Sequence, residues 1–370
     1  MAKKQISRRV RRHYILIGLP TAVFLVATII LLYWYFSVTT PNLPKPPLKE
    51  LAKSHNIELG THVSLSRITD KPYVNIVVSQ FSFMTIDGEA NWISLHPSPQ
   101  VYNYAKADKL VAFAKANNMP IQIHHLVWGE QKFLPNWLKN GHFNKSQLLG
   151  IIHQYITNVV NHFKNKVAVW SVVNEAFTRS QHTYGLSDWW ANNTGGETTY
   201  IDDSFVWAHQ TDPNAKLILN DFNNETENNI SNSEYSYIKT AKAKGIPING
   251  IGMQMHINAA NPPSIGAMVK NMKRFAAIGV PVYITEFDVN LNSVKGSSAY
   301  KNKLQAQITY NVVRACIESG SCISFDNFGI TNKESFLKWL GHTDSHSFLF
   351  NSRYQPKAAF YSFRQAWMQK

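Results

Sequence analysis

From residue 56 onward, short apolar and β-branched runs alternate with longer segments whose apolar residues recur at helical spacing. The short runs are typical of strands, and the segments between them are typical of connecting helices. The predicted strands are residues 57–63, 74–83, 120–127, 167–173, 216–219, 250–255, 282–287 and 321–328. Clear helical periods fall at residues 105–116, 148–163, 235–244, 265–278 and 303–317. Eight such units predict an α/β fold, a (β/α)8 barrel.

A different pattern precedes the barrel. Residues 14–36 contain no charged side chain, and a helix of this length spans a hydrocarbon core of about 30 Å. Residues 1–13 contain six basic side chains and no acid, which predicts a cytoplasmic tail. We therefore expect a single-pass signal anchor in the cell membrane, with the following chain extracellular. The alternative is secretion after signal cleavage, although no A-x-A site follows the apolar stretch.

Four prolines lie between residues 37 and 50, which predicts an extended linker, with the barrel occupying residues 51–370. The formal charge is +14, but six of the basic residues belong to the tail. The remaining 31 basic and 23 acidic residues form no basic stripe, which argues against a nucleic-acid partner. Cys316 and Cys322 are the only cysteines. An exported location predicts a disulfide between them, with two free buried thiols as the alternative.

Polar residues cluster where the predicted strands end. On a (β/α)8 barrel these positions surround the mouth that carries active sites. The candidates are His124, Trp128, Asn174, Glu175, Asn220, Asp221, Gln254, His256, Glu286 and Asp288. The mouth is therefore the expected site of chemistry.

Glu175 and Glu286 each follow an apolar run, at the fourth and seventh predicted strands. Cleavage of a glycosidic bond with retention needs one carboxyl group as acid/base and a second as nucleophile, about 5 to 5.5 Å apart. The alternative is a pair of structural ion pairs, but no basic residue occupies the neighbouring strand ends. Neutral Asn174 beside Glu175 favours the acid/base role there. His256 and Asp288 are expected to orient Glu286 as the nucleophile.

Two histidines and a tryptophan end the third strand. His124, considered alone, fits a core histidine better than a functional one, and His125 is expected on the opposite strand face, in the core. Trp128 fits a sugar-stacking role better than a core role because of its neighbours.

These motifs resemble glycoside hydrolase family 10, chiefly endo-β-1,4-xylanases, over about residues 56–366. The resembling segments are His124 to Gln131 with Pro135 and Trp137 (H-T-L-V-W-H-x-Q…P-x-W in the family), Trp170 to Ala176 (W-D-V-V-N-E-A), Leu219 to Glu225 (I-N-D-Y-N-x-E), Gly250 to His256 (G-I-G-x-Q-x-H), Ile284 to Asp288 (I-T-E-L-D) and Tyr354 to Phe360. The resemblance implies Glu175 as acid/base, Glu286 as nucleophile, and Asn174 on the 2-hydroxyl of the sugar at the cleavage site. It also implies sugar or nucleophile contacts for His124, Gln131, Gln254 and His256.

The chain departs from the family at several sugar-binding positions. In the second-strand segment T-x-E-N-x-M-K-W, Asp87 stands at the Glu, and Gly88 and Asn91 replace the Asn and Lys that hold non-reducing-side sugars. Phe328 and Phe336 replace two tryptophans after the eighth strand. Other replacements are Gly129 for His, Ser171 for Asp and Phe222 for Tyr. Both carboxylates remain, so the reaction class is predicted more securely than the substrate.

The sequence thus predicts a monomeric, membrane-tethered, retaining endo-β-1,4-xylanase, or a relative acting on another β-glycan. A cell-surface carbohydrate-binding protein that lost catalysis and a transglycosylase are the alternatives. Carboxylate chemistry requires no cofactor, and no metal-ligand spacing is found along the chain.

Overall fold

A computed structural model of the chain describes residues 41–177, 188–196, 198–334 and 346–369. The strands, numbered β1 to β9 in chain order, are Glu58–His62, Phe83–Ile86, Ile121–Trp128, Val169–Asn174, Lys216–Asp221, Gly250–Met253, His256–Asn258, Val282–Asn290 and Cys322–Asn327. All neighbouring strands run parallel, in the order β6-β5-β4-β3-β2-β1-β9-β8-β7. Pairing of β6 with β8, for example Met253 with Ile284, closes eight strands into a ring, and β7 pairs with β8 alone. The predicted (β/α)8 barrel is confirmed.

Helices surround this ring. The helices, numbered α1 to α12, are Leu48–Lys53, Lys71–Gln80, Trp92–Leu95, Ala105–Ala116, Asn136–Lys139, Lys145–Phe163, Trp189–Asn193, Thr199–Thr211, Asn229–Ala243, Ile265–Ala276, Ser298–Ser319 and Ala358–Met368. Short 3₁₀ helices occupy Gly88–Ala90 and Gln131–Phe133. Helix α6 illustrates the packing: Leu148, Ile152, Tyr155 and Val159 lie on one face and are buried. Burial of each such side chain stabilises the fold by about 1.5 to 3 kcal/mol.

The predicted strand at residues 74–83 is wrong. Helix α2 occupies Lys71–Gln80, and strand β2 begins only at Phe83. The run Tyr-Val-Asn-Ile-Val-Val resembles a strand because it is rich in β-branched residues. However, Tyr73, Ile76 and Val77 recur at helical spacing and are buried, and a proline in the first turn favours a helix start.

The described part of the predicted linker packs on the barrel domain instead of extending away from it. Leu48 is fully buried at the start of α1. The Arg364 guanidinium on α12 donates hydrogen bonds to the backbone carbonyls of Pro44, Lys45 and Pro46. A flexible spacer can therefore extend at most to the residues before this contact.

Within the described ranges, no helix combines the length and apolar character needed to cross a bilayer. The predicted tail at residues 1–13 and the predicted membrane segment at residues 14–36 lie outside these ranges.

A disulfide joins Cys316, at the end of α11, to Cys322, the first residue of β9. The predicted pairing is confirmed. Both residues are buried. The bridge holds the last barrel strand to the helix that precedes it.

Removing this bridge should destabilise the barrel by about 2 kcal/mol, because a closed loop of this short span restricts the unfolded chain modestly. The Cys316→Ala/Cys322→Ala variant should therefore unfold at lower urea concentration than the oxidised wild type. Reduced wild type is the matched control and should resemble the variant. Equal stability of all three forms would show that the bridge contributes nothing.

Candidate active site

Glu175 follows β4 directly and has an unusual backbone conformation. Its φ angle is +56°, in the left-handed region that residues other than glycine rarely adopt. Its N–H donates to the carbonyl of Asn220 at 2.8 Å, which ties the turn to β5. Such conformations cost on the order of 1–3 kcal/mol and occur preferentially at functional sites.

The Glu175 carboxylate is buried between two donors. Trp128 Nε1 donates to Oε2 at 2.8 Å, and Gln254 Nε2 donates to Oε1 at 3.1 Å. Both donors are neutral, and they come from β3 and from the residue after β6. The ends of strands β3, β4 and β6 therefore fix the position of this carboxylate.

The Glu286 carboxylate lies in β8 and has three polar neighbours. Asn220 Nδ2 donates to Oε1 at 2.9 Å, and His256 Nε2 lies 3.2 Å from Oε2. His124 Nε2 is 3.6 Å from Oε1, which is an electrostatic contact. Glu286 is thus surrounded by donors at the barrel mouth.

A chain of side-chain amides connects the two carboxylates. Asn174 Oδ1 accepts hydrogen bonds from Asn220 Nδ2 at 2.9 Å and from Gln254 Nε2 at 3.3 Å. The first of these donors also binds Glu286, and the second also binds Glu175. Thr285 Oγ1 donates to Asn220 Oδ1 at 2.6 Å, which leaves the amide nitrogen of Asn220 facing Glu286. These hydrogen bonds, called the amide network below, connect the two glutamates at one end of the barrel.

The histidines around Glu286 keep its carboxylate ionised. Burial alone would raise its pKa, but the histidines facing it lower the pKa to about 2. Burial would likewise lower the pKa of His256, but Asp288, 2.9 Å from His256 Nδ1, and Glu286 raise it to about 10. Burial lowers the pKa of His124, and the charge of Glu286 opposes that shift. His124, His256 and His62 together lower the Glu286 pKa, and His256 is the one whose own pKa is raised.

The structure corrects the expectation for His125. Its ring lies 4.7 Å from that of His124 and 4.8 Å from that of Trp128, measured between centroids. It is buried, as expected, but it lies beside His124 and Trp128 and not on the opposite side of the strand. The pairing of β3 with β4 shifts register between His124 and Val127, which interrupts the simple alternation of side chains.

A cavity of about 670 Å³ is lined by Asp87, Gly88, His62 and Phe328, among others. The Phe328 ring contacts His62 at 4.6 Å and His256 at 5.0 Å between centroids. Asp87 forms the cavity wall, and burial together with Glu286 raises its pKa. Its side chain is 37% exposed and therefore accessible from the cavity.

Several departures from the family pattern have local explanations. A side chain at position 129 would overlap Asp188, whose Cβ lies 2.4 Å from the position of an added Cβ. Ser171 Oγ lies 3.2 Å from His124 Nδ1. Asn91 accepts a hydrogen bond from the Ser94 N–H and caps α3. Phe336 lies outside the described residues.

Not every predicted site residue has the predicted role in the structure. Gln131 is exposed in the 3₁₀ helix after β3, and its sugar contact stays a prediction. Trp128 stacks on Phe133 at 4.7 Å between centroids, so one face of its indole is occupied within the protein. Its hydrogen bond to Glu175 was not predicted.

Two residues of the site, Thr285 and His62, were not predicted, and Asn220 was predicted only as a polar residue at a strand end. Asn220 ends the fifth predicted strand and bridges both glutamates through the amide network. Thr285, beside Glu286, orients that asparagine. His62 ends β1 and lines the cavity. Their positions at or beside strand ends were the available signal.

Comparison with known proteins identifies the family to which this chain belongs. The model for glycosyl hydrolase family 10 matches residues 47–366, and the chain belongs to that family. Endo-1,4-beta-xylanase B of Thermotoga neapolitana is 34% identical over 327 residues, covering 88% of this chain and 92% of the relative. Beta-1,4-xylanase of Dictyoglomus thermophilum is 33% identical, covering 85% and 90%. The crystal structure of xylanase 10B from Thermotoga petrophila RKU-1 in complex with xylobiose has a TM-score of 0.81 and 34% identity, covering 88% of this chain and 98% of that one.

Proposed function

We propose that the protein is an endo-acting retaining hydrolase of β-1,4-xylan, with Glu286 as nucleophile and Glu175 as acid/base. One observation carries the proposal: two buried glutamates share the amide network at the barrel mouth, and one of them faces a protonated histidine. The xylanase relatives support xylan as the substrate.

The reaction proceeds in two displacements at one sugar carbon. An oxygen of Glu286 attacks the anomeric carbon while Glu175 donates a proton to the departing glycosidic oxygen, which leaves a covalent glycosyl-enzyme. Glu175 then removes a proton from water, the water oxygen attacks the anomeric carbon, and Glu286 is released. Two inversions restore the original configuration.

The surrounding residues serve these two steps. His256 and Asp288 hold Glu286 ionised, because an ionised carboxylate is the attacking form. Gln254 and Trp128 position Glu175. We assign Asn174, His124, Gln131 and Asp87 to sugar hydroxyls in the cleft, where hydrogen bonds that strengthen in the transition state lower the barrier.

The acidic limb of the pH profile should depend on His256. In His256→Asn one positive charge and one hydrogen bond are lost while His124 and His62 remain, so the Glu286 pKa should rise from about 2 towards its ordinary value of 4.5. The acidic limb of kcat/KM should then move to higher pH. His209→Asn, an exposed histidine on α8, is the control and should leave the limb in place. An unchanged limb in His256→Asn would exclude this role.

The substrate is tested by incubating the protein with xylan, mannan, cellulose and mixed-linkage glucan. Xylan should yield short oligosaccharides whose new reducing ends first appear, by proton NMR, as the β anomer. Saturable xylan binding without new reducing ends would favour a carbohydrate-binding protein. Preferential cleavage of another polysaccharide would retain the mechanism and change the substrate.

Because Gly88 has no side chain, we expect weak binding of the sugars on the non-reducing side of the cleavage site. A Cβ added there meets no atom within 4 Å, so the backbone position has room for the first atom of an Asn side chain. One new amide donor in the cavity is worth about 0.5–1.5 kcal/mol. KM for xylotriose should therefore fall by about two- to tenfold, while Gly150→Asn, on the solvent side of α6, leaves it unchanged. An unchanged KM in Gly88→Asn would show that sugar does not reach this position.

We propose further that residues 14–36 anchor the enzyme in the cell membrane with the barrel outside and residues 1–13 inside. The uncharged apolar stretch and the preceding basic cluster support this arrangement. The full chain should remain in membranes washed with alkaline carbonate, and protease added to intact cells should release an active barrel. Appearance of the active enzyme in the medium without protease would support secretion after cleavage.

A further inference from the structure

Asp87, His124 and His125 bring three metal-ligating groups together on adjacent strands. Strands β2 and β3 pair in register, with Ile86 opposite Ile123, so the residues that follow lie side by side. One ring nitrogen of each histidine and one carboxylate oxygen of Asp87 lie within 4.8 Å of one another. These residues form the mouth cluster.

One member of the mouth cluster has an unmet hydrogen-bonding group. His125 is buried, and its Nδ1 has no hydrogen-bond partner among the described residues. A buried polar nitrogen without a partner costs about 1–3 kcal/mol. The His124 and Trp128 rings pack against this ring and restrict its rotation.

The donor set suits one class of ion. Two imidazoles and one carboxylate match Zn²⁺, which takes nitrogen ligands at about 2.0–2.1 Å and commonly keeps a fourth position for water. Mg²⁺ and Ca²⁺ prefer oxygen ligands and are poorly matched. The three ligand atoms lie within 4.8 Å of one another without any rearrangement.

We propose that the mouth cluster binds Zn²⁺ and that the bound ion reversibly inhibits the enzyme by occupying the cleft between Glu286 and the cavity. His124 contacts Glu286, and Asp87 lines the cavity, so an ion held by both lies in the path of the sugar chain. The inhibition rests on the proposed function, whereas the binding does not.

The third ligand is a feature of this chain. His125 stands where the family segment H-T-L-V-W has threonine. Asp87 lies far from the histidines along the chain, which is why ligand spacing alone does not indicate the site. Relatives with threonine at this position lack one nitrogen ligand and should bind zinc more weakly.

Binding is tested by calorimetric titration of the full chain with ZnCl₂. The wild type should bind one ion at this site, and His125→Thr should weaken that binding by at least about tenfold. His142→Thr, which changes an exposed histidine outside the cluster, should bind as the wild type does. Equal zinc affinity in the wild type and His125→Thr would overturn the proposal.

Geometry and inhibition are tested separately. Co²⁺ in place of Zn²⁺ should give visible absorption of a low-coordinate nitrogen–oxygen site in the wild type and not in His125→Thr. Xylobiose should raise the apparent Kd for zinc. Zinc should lower the rate of xylan hydrolysis by the wild type, and it should lower the rate of His125→Thr much less. Zinc binding without competition by xylobiose would overturn the inhibitory role. Absence of hydrolysis in the zinc-free wild type would instead contradict the proposed function.

Discussion

Glu286→Gln should reduce hydrolysis of an activated aryl β-xylobioside by about 10⁴-fold or more. The amide is nearly isosteric and can still contact Asn220 and His256. It cannot form the glycosyl bond on which the first displacement depends. The loss should appear in kcat with all leaving groups, because the attacking atom itself is changed.

The matched control is Glu58→Gln, a glutamate at the amino-terminal start of β1, at the opposite end of the barrel. It should retain wild-type activity, and both variants should retain the wild-type circular dichroism spectrum. Turnover of Glu286→Gln within tenfold of the wild type would exclude Glu286 as the nucleophile.

Glu175→Ala should instead separate substrates by leaving group. Proton donation by a positioned acid contributes about 10²–10⁴-fold when the leaving group is basic, and little when it is a dinitrophenolate. Xylan hydrolysis should therefore fall by about 10³-fold or more, whereas formation of the glycosyl-enzyme from a dinitrophenyl substrate should remain fast.

Azide should restore turnover of Glu175→Ala, because this anion attacks the glycosyl-enzyme without a general base and the lost carboxylate no longer repels it. The product should be a β-glycosyl azide. Trp128→Phe provides a graded comparison, since it keeps Glu175 but removes the donor to Oε2. Equal losses in Glu175→Ala for good and poor leaving groups, without azide rescue, would contradict an acid/base role.

The barrel could be predicted from sequence because its signals are local. Seven of the eight predicted strands overlap the barrel strands closely, and predicted helix 105–116 matches α4 at both ends. The second strand was placed too early because β-branched residues line the buried face of α2. Local composition favoured a strand there, whereas packing of Tyr73, Ile76 and Val77 against the core favoured the helix.

The candidate site was predictable at the level of strand ends but not of contacts. Glu175 and Glu286 follow apolar strands, and that position alone indicated the mouth. The role of Asn220 depends on which way its amide points, and Thr285 fixes that orientation from another strand. The orientation of His125 depends on a register shift between β3 and β4. Neither feature leaves a mark in the linear sequence.

The most direct measurement of the central claim is peptide mass spectrometry after incubation with a 2-deoxy-2-fluoro aryl β-xylobioside, whose fluorine slows release of the glycosyl-enzyme. We expect a stoichiometric mass increase of one fluoroxylobiosyl group, located on the peptide that contains Glu286 and absent from Glu286→Gln. A label on any other residue, or hydrolysis of xylan to products that first appear as the α anomer, would contradict it.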